Sequence, residues 1–249
     1  MTRLAKYSAD LYVNLEKETG ISTGVKQNGS LTVALTEHRH EEILRQASMA
    51  KSFAVDVNEI SISELKSYHP FLNVDGVKGA VHLPLDGQGD PANIAMALAK
   101  GARDLGVKIF EDTKVTGLNT HNNSVSGIYW LNKDGKGLIK TENAANCAGM
   151  WARDFAESQG VTVPLHACEH FYIVTEPVKN LNTLPVLRMP DEQTYYKEDA
   201  GKFLVGAFEL EAKPWGMDGI DEDFCFDQLP EDLDHFEPIL EKAIKRIPI

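Results

Sequence analysis

The segment Asn146-Cys147-Ala148-Gly149-Met150-Trp151-Ala152 predicts a change from extended backbone to helix. Residues 144–148 are small and largely apolar, and a helix is predicted over 150–158, so Gly149 lies at a strand-to-helix turn. The first residues of such a helix offer unpaired backbone N–H groups and the positive end of the helix dipole. This arrangement suits the phosphates or the ring edge of a nucleotide cofactor. The same turn also occurs as a purely structural feature of α/β proteins.

A second informative segment, residues 165–175, is predicted to be a strand with two different faces. One face carries the polar side chains His166, Cys168, His170 and Tyr172. A polar strand face either lines a cavity or faces solvent, and the sequence leaves both interpretations open. The His-x-Cys-x-His spacing is also compatible with Zn²⁺. No further Cys or His cluster completes such a site, so no metal is predicted.

Composition limits the class of protein. The chain has 249 residues and a net charge of −12, which argues against a protein devoted to nucleic acid or to anionic lipid surfaces. No run approaches the roughly 20 apolar residues of a membrane span. The three widely spaced cysteines fit a reducing compartment. The expected location is the cytoplasm in a bacterium or the mitochondrial matrix in a eukaryote.

Helix and strand patterns alternate along the first two thirds of the chain. A first helix is predicted to end at Gly20, and a second is predicted to begin after the cap residue Thr36. A third is predicted to begin at Pro91, with Asp90 as its N-cap. Predicted strands are a pair within 24–35, then 107–110, 113–118, 125–131 and 138–144, with a hairpin turn at 133–135. After Pro164 the pattern is mostly β, and the Gly- and Asp-rich residues 213–230 are predicted to form a surface loop. The helix-to-strand crossover at 90–110 predicts an α/β fold.

Several motifs in the same order carry a family resemblance. They are Gln27-Asn28-Gly29-Ser30-Leu31, the segment 86–91, Asn146-Cys147-Ala148-Gly149-Met150-Trp151-Ala152, Glu169-His170-Phe171-Tyr172-Ile173-Val174-Thr175, and Tyr195-Tyr196 before Leu204-Val205-Gly206. Together they resemble the flavin amine oxidoreductases of the dimethylglycine and sarcosine dehydrogenase group. That group belongs to the D-amino-acid-oxidase-like, FAD-dependent enzymes. The likeness extends across nearly the whole chain.

The resemblance implies a discontinuous α/β architecture. Residues 1–23 and 86–160 would form an incomplete, Rossmann-like FAD-binding layer. Residues 24–85 and 161–249 would form an α+β substrate domain built on a mixed β-sheet. Enzymes of this type begin with a strand, a Gly-x-Gly-x-x-Gly turn and a helix, and the sequence contains no such motif. The chain is therefore expected to be an internal portion of a longer enzyme; the alternative is a chain that has lost its cofactor site.

The resemblance also implies catalytic and substrate-binding residues. His170 and Tyr195 match positions near the substrate face of the flavin, and both are candidate catalytic residues. A histidine there would accept a proton or tune the pKa of the substrate amine, and a tyrosine would hydrogen-bond the substrate or form one wall of an aromatic pocket. Tyr172 and Arg188 are candidate substrate-binding residues. Arg188 would pair with a substrate carboxylate, although an exposed surface arginine is an equally good interpretation.

Four further positions are implied to contact the cofactor, FAD. The backbone at Val115 matches the strand that meets the adenine end of FAD. Ala148, Gly149 and Trp151 would act through backbone groups and packing. The alternative for all four is an ordinary structural role, with Val115 as a core residue.

The implied function is oxidation of a small N-methylated amino acid by hydride transfer to flavin. Transfer of the one-carbon unit to tetrahydrofolate would need a C-terminal domain outside this chain. Residues 166–172 also closely resemble the regulatory subunit of pyruvate dehydrogenase phosphatase, a non-catalytic relative. Tyr195-Tyr196-Lys197 departs from that subunit and matches the dehydrogenases, which favours an enzyme. A third alternative is an inert truncated fragment, and the isolated chain is expected to be inactive.

Overall fold

The computed structural model describes residues 1–221, 223–225 and 227–249. The chain forms two compact units. The first contains residues 1–107, 170–211 and 231–249, and the second contains residues 108–169 and 212–230. The predicted division into 1–23 with 86–160 and 24–85 with 161–249 stays a prediction. Residues 222 and 226, which fall in the predicted loop 213–230, lie outside the described residues.

The chain contains α-helices and β-strands throughout the described residues. The helices are α1 (Thr2–Thr19), α2 (Glu37–Lys51), α3 (Ile62–Tyr68), α4 (Pro91–Asp104), α5 (Ala152–Ser158) and α6 (Leu233–Arg246). The strands are β1 (Ser30–Ala34), β2 (Asn58–Ile60), β3 (Gly79–Leu83), β4 (Lys114–His121), β5 (Ser124–Asn132), β6 (Gly135–Lys140), β7 (Tyr172–Val174), β8 (Val186–Met189), β9 (Thr194–Asp199) and β10 (Lys202–Ala207). This mixture confirms the predicted α/β class.

The first unit is built on a seven-stranded sheet with the order β2-β3-β1-β8-β9-β10-β7. The β1–β8 pair is parallel and the other pairs are antiparallel, so the sheet is mixed, as predicted. One row of paired residues crosses five of its strands. The row consists of Thr32, Arg188, Tyr195, Gly206 and Tyr172. Paired residues share a face of a sheet, so this row gathers side chains from distant parts of the sequence.

One face of this sheet carries the main hydrophobic core. Its buried residues include Leu31, Leu187, Tyr196 and Phe203, which pack with residues of α3 and α6. On the opposite face α2 covers β1 and β3, and Ile43 is buried there. The rest of that opposite face is more exposed, and we call it the open half-face. Its outward residues are Arg188, Tyr195, Lys197, Leu204, Gly206, Tyr172 and Val174.

Local signals fix the helix ends. Gly20 has a left-handed backbone (φ 74°), and its N–H donates to the Glu16 carbonyl at the end of α1. The Thr36 side chain accepts a hydrogen bond at the start of α2, and Asp90 does the same at the start of α4, where Pro91 is the first residue. All three predicted helix ends are confirmed.

The predicted strand pair within 24–35 is wrong. Only Ser30–Ala34 is a strand, and its partners are β3 and β8. Lys26 instead forms an isolated bridge with Gln88, and the Gly29 N–H donates to the Asp86 carbonyl. The Asn-Gly signal for a local hairpin is overridden because residues 86–88 provide the hydrogen-bond partners.

The second unit contains a three-stranded antiparallel sheet, β4-β5-β6. Its strands match the three short strands predicted here, and the turn between β5 and β6 confirms the predicted hairpin turn. The third strand spans Gly135–Lys140 rather than residues 138–144. The strand predicted at 107–110 is absent, and 144–148 form no strand before Gly149. In the described part of the chain neither segment pairs with another strand, and a strand exists only where a partner supplies its hydrogen bonds.

The long strand predicted at 165–175 is also wrong. Only Tyr172–Val174 forms a strand, which pairs with β10. Cys168 forms an isolated bridge with Pro214, and backbone hydrogen bonds join 167–169 to 213–215. The segment therefore changes partner midway, and its two ends belong to different units.

Candidate active site

Tyr195 and His170 form the centre of the candidate site. The Nε2 atom of His170 lies 3.1 Å from the Tyr195 hydroxyl, within hydrogen-bond distance. The two rings are nearly parallel, with an interplanar angle of 5° and centroids 6.0 Å apart. Both residues belong to the first unit, and 25 positions separate them in the sequence. The structure therefore brings the two predicted catalytic residues together.

A third ring, Phe208, lies beside this pair. Its centroid is 5.6 Å from that of His170 and 5.2 Å from that of Tyr195. The Phe208 backbone N–H donates to the carbonyl of Gln193, two residues before Tyr195. Phe208 is 64% exposed, so the ring cluster has an accessible apolar edge. Such an edge can pack against the methyl groups of a small ligand.

The phenol of Tyr195 is a neutral group at physiological pH. Burial raises its pKa above the usual value of 10, and the nearby Tyr172 and Glu209 raise it further. A neutral phenol donates one hydrogen bond, and a neutral imidazole accepts one at the nitrogen that carries no proton. The Tyr195 hydroxyl can therefore donate to Nε2 of His170, or accept from it in the other tautomer.

The turn before β9 is anchored on two sides, which fixes the start of the strand that carries Tyr195. Asp191 accepts a hydrogen bond of 3.1 Å from Nε of Arg39 in α2. Glu192 accepts hydrogen bonds of 2.6 and 2.9 Å from Arg246 in α6. The Arg246 side chain is only 9% exposed, and a buried, multiply bonded pair of this kind holds its partners in one geometry. The site is thus built on a rigid part of the sheet.

Arg188 and Tyr172 flank Tyr195 in the row that crosses the sheet. Arg188 pairs directly with Tyr195, and Tyr172 lies one strand further on, beyond Gly206. Directly opposed residues in a sheet have Cβ atoms about 5 Å apart. The Arg188 side chain is 54% exposed, and its nearest described carboxylate oxygen, on Asp86, lies 3.9 Å away. Its guanidinium is therefore accessible to a ligand carboxylate.

The predicted flavin-contacting segment forms an exposed turn in the second unit. Gly149 (φ 55°) begins a short 3₁₀ turn, Gly149–Trp151, which leads into α5. Asn146 supports it, because Oδ1 accepts from the Ala148 N–H and Nδ2 donates to the Ala152 carbonyl. Within the described residues, the N–H groups of Gly149 and Met150 have no hydrogen-bond partner.

Three features of the second unit bear on whether it suits FAD. Exposed N–H donors at the Gly149 turn suit a cofactor rich in acceptors, since a flavin carries carbonyl and phosphate oxygens. Val115 lies on β4, an outer strand of its sheet, and its side chain is 43% exposed, so it is not the core residue of the alternative interpretation. An outer strand leaves backbone groups free for a ligand edge. Ala148 is exposed and Trp151 is 37% exposed, so both are accessible. These residues of the second unit are therefore compatible with FAD.

Sequence reasoning missed three residues of the site. Gly206 belongs to one of the family motifs but is not among the predicted site residues, yet the Tyr195 ring lies against it. A glycine inside a strand often marks a close approach, and that signal was available. Phe208 and Glu209 carried no signal, because their proximity to Tyr195 depends on the pairing of β9 with β10.

The structure also bears on metals and membranes. Among residues 1–221, 223–225 and 227–249, no group of three or more His, Cys, Asp or Glu side chains could hold a metal ion. His166 and Cys168 belong to the second unit and His170 to the first. No helix among the described residues is long and apolar enough to cross a bilayer.

Comparisons with known proteins agree with this architecture. Residues 1–249 match the DAO family, described as FAD dependent oxidoreductase. The chain belongs to this family. The crystal structure of L-proline dehydrogenase from P. horikoshii superposes with a TM-score of 0.81 at 24% identity, covering 99% of this chain and 62% of that one. At that identity the likeness shows the fold.

Two curated mouse proteins are similar over nearly the whole chain. The mitochondrial pyruvate dehydrogenase phosphatase regulatory subunit is 35% identical over 250 residues, 99% of this chain and 28% of that protein. Mitochondrial sarcosine dehydrogenase is 34% identical over 238 residues, 95% of this chain and 26% of that protein. The chain thus spans between a quarter and a third of the length of these relatives.

Proposed function

We propose that this chain is part of an FAD-dependent oxidoreductase that oxidises a small N-methylated amino acid of the sarcosine or dimethylglycine type. The observation that carries the proposal is the arrangement of Arg188, Tyr195 and His170. A cationic side chain lies beside a phenol in one row of the sheet, and the phenol is hydrogen-bonded to an imidazole. An amino acid presents a carboxylate next to an amine, which matches that order of groups. The similarity to sarcosine dehydrogenase supports the same substrate class.

Each residue has a distinct part in the proposed reaction. Arg188 binds the substrate carboxylate and thereby orients the molecule on the open half-face. His170 accepts the ammonium proton, because only a neutral amine has the lone pair that supports loss of hydride from the adjacent carbon. Tyr195 holds the imidazole through its hydroxyl, and Tyr172 with Phe208 provides apolar contacts for the methyl groups. FAD, when bound, supplies the hydride acceptor.

The cofactor-contacting residues belong to the same proposal. The free N–H groups at Gly149 and Met150 would donate to acceptor atoms of FAD, and Ala148 and Trp151 would pack beside it. The outer backbone of β4 at Val115 would hydrogen-bond the adenine edge. A transfer of the one-carbon unit to tetrahydrofolate remains a prediction about residues outside this chain.

Anaerobic flavin reduction in the full-length protein tests the proposal. Sarcosine or dimethylglycine should bleach the oxidised flavin absorption, with one flavin reduced per substrate oxidised. Glycine betaine is the matched control, since it has the carboxylate and methyl groups but no nitrogen lone pair, and it should leave the spectrum unchanged. Arg188→Met should raise the substrate concentration for half-maximal reduction by about 10²-fold, because a charge-assisted pair is lost. An oxidised spectrum with every N-methyl amino acid would contradict the proposal.

The alternative is a non-catalytic relative, favoured by the 35% identity to the phosphatase regulatory subunit. That alternative predicts a full-length protein whose flavin, if bound, stays oxidised with all amines. The Tyr195-Tyr196-Lys197 sequence and the hydrogen bond between Tyr195 and His170 weigh toward the enzyme. An inert fragment, folded or partly folded, would show no FAD binding, and a thermal unfolding transition that FAD shifts upward would exclude it.

A further inference from the structure

Gly206 occupies an unusual place in the sheet. It lies in β10, between Tyr195 on β9 and Tyr172 on β7, and it pairs with both. Its backbone is not in the left-handed region, so an alanine could adopt the same conformation. The glycine is therefore required by something other than the main chain.

The ring of Tyr195 lies where a side chain at 206 would be. A Cβ atom built on Gly206 would be 2.1 Å from Cζ, 2.2 Å from the hydroxyl oxygen and 2.4 Å from Cε1 of Tyr195. Carbon atoms in contact are normally about 3.5–4.0 Å apart, so the ring would have to move by more than an ångström. The phenol therefore lies flat across β10 only because residue 206 has no side chain.

The direction of that displacement matters for the site. The Tyr195 backbone is fixed by pairing with β8 and β10, so its ring can escape only by turning away from the sheet. The hydroxyl would then leave its position 3.1 Å from His170, and the contact with Phe208 would change as well. A single methyl group at 206 would thus separate the phenol from the imidazole without altering either residue.

We propose that Gly206 is a positioning residue for Tyr195. Its lack of a side chain sets the depth and tilt of the phenol, and it thereby places the hydroxyl against His170. The placement itself is independent of any reaction. Its catalytic consequence rests on the proposed function, in which the Tyr195–His170 pair contacts the substrate amine.

The same sheet provides a matched control. Gly79 in β3 lies beneath the ring of His40 in α2, and a Cβ there would be 2.2 Å from Nε2. Gly79 also lies outside the left-handed region, and it is remote from Tyr195 in strand order. Gly79→Ala therefore introduces a clash of the same size under a ring that has no part in the proposed reaction.

The test compares five variants of the full-length protein: Gly206→Ala, Tyr195→Ala, the double variant of these two, Gly79→Ala, and Tyr195→Phe as a spectroscopic reference. The first measurement is the absorbance titration of the tyrosine phenols, in which Tyr195 is identified as the transition that Tyr195→Phe removes. Gly206→Ala should move this transition to lower pH, because the displaced ring becomes more exposed. Gly79→Ala should leave it in place.

The second measurement is the rate of flavin reduction by sarcosine. Gly206→Ala should slow it by about 10²-fold, since a misplacement of about 1 Å has an effect of that size. In the Tyr195→Ala background the same substitution should change the rate by less than about twofold, because the ring that it displaces is gone. Gly79→Ala should retain the wild-type rate.

Each outcome decides the proposal. An unshifted Tyr195 transition in Gly206→Ala overturns it, and so does an equal loss of rate with and without the Tyr195 ring. A shifted transition with an unchanged rate upholds the positioning role and contradicts the proposed function of Tyr195. If Gly206→Ala fails to fold, the double variant should fold because it removes the clash, and failure of both overturns the proposal.

Discussion

The two halves of one sheet face differ in what packs on them. On the half formed by β1 and β3, helix α2 covers the strands, and Ile43 and Val81 are almost completely buried. On the open half-face, formed by β8, β9, β10 and β7, Arg188 and Tyr172 remain about half exposed. Both halves belong to one continuous sheet, so the difference lies in what packs on each half. One half is packed beneath a helix. The other leaves its side chains accessible, and we propose that it binds the substrate.

Both halves use a glycine beneath a ring, with different results. Gly79 lets His40 lie against β3, where its Nε2 is 3.3 Å from a carboxylate oxygen of Glu59, and the contact ties α2 to the sheet. Gly206 lets Tyr195 lie against β10, where the hydroxyl reaches His170. The first contact joins two elements of the fold, whereas the second places a phenol beside an exposed imidazole.

The largest expected effect is on stability in the covered half. Ile43→Ala should lower the free energy of unfolding by about 4 kcal/mol, because it leaves a cavity between α2 and the sheet. Tyr172→Ala on the open half-face should cost less than about 1 kcal/mol, since that side chain is already 50% exposed. Urea denaturation of both variants measures the difference. Equal losses would show that the open half-face is also a packed interface.

The free energy of unfolding should depend on pH through a histidine in the core behind the open half-face. Burial lowers the pKa of His69, which is stacked 6.0 Å from Phe203, from 6.5 to about 4. The unfolded chain therefore binds a proton that the folded chain excludes, and stability is lost as the pH falls from about 6.5 toward 4. The expected loss is about 3 kcal/mol.

Denaturation midpoints at pH 7.5 and pH 4.5 measure this loss. His69→Leu should reduce the difference between the two midpoints, because it removes the titrating group and keeps an apolar side chain in the core. Other groups titrate equally in both proteins and cancel in the comparison. An unchanged difference in His69→Leu would contradict the assignment.

Substitutions at the candidate catalytic residues should lower the rate of flavin reduction without changing the stability of the fold. His170→Asn and Tyr195→Phe should each slow flavin reduction by sarcosine by about 10²-fold, because the proton acceptor or its hydrogen-bonded support is lost. Their unfolding midpoints should stay close to that of the wild type, since His170 is exposed and Tyr195→Phe retains the ring. Stopped-flow reduction and urea denaturation on the same samples test both parts. Wild-type rates of flavin reduction in both variants would show that His170 and Tyr195 have only a structural role.

The sequence predicts features that depend on interactions between near neighbours in the chain, and it fails for features that depend on distant segments. The caps at Thr36 and Asp90 were correct because their hydrogen-bond partners lie within three residues. The strands at 24–35, 107–110 and 165–175 were wrong because pairing depends on distant segments, such as residues 86–88 for Lys26. His170 and Tyr195 came from the family resemblance. The contact of Gly206 with Tyr195 required the register of β9 and β10, which the sequence does not show.

The smallest expected effect is a change in the pKa of Tyr195 on the open half-face. The pKa of Tyr195 is raised first by burial, then by Tyr172 and Glu209. Glu209→Gln removes one negative charge at constant size, so the pKa of Tyr195 should fall modestly toward its ordinary value. The phenol titration that isolates Tyr195 measures the shift. A rise in the pKa would contradict the proximity of Glu209.

In the proposed function the substrate lies on the open half-face, with its carboxylate at Arg188 and its amine at the adjacent Tyr195–His170 pair. The decisive measurement is a crystal structure of the full-length protein with methoxyacetate, which resembles sarcosine but lacks the oxidisable amine. We expect carboxylate oxygens about 3 Å from the Arg188 guanidinium and the ether oxygen directed toward Tyr195. Methoxyacetate bound elsewhere, with Arg188 and Tyr195 free of ligand, would contradict it.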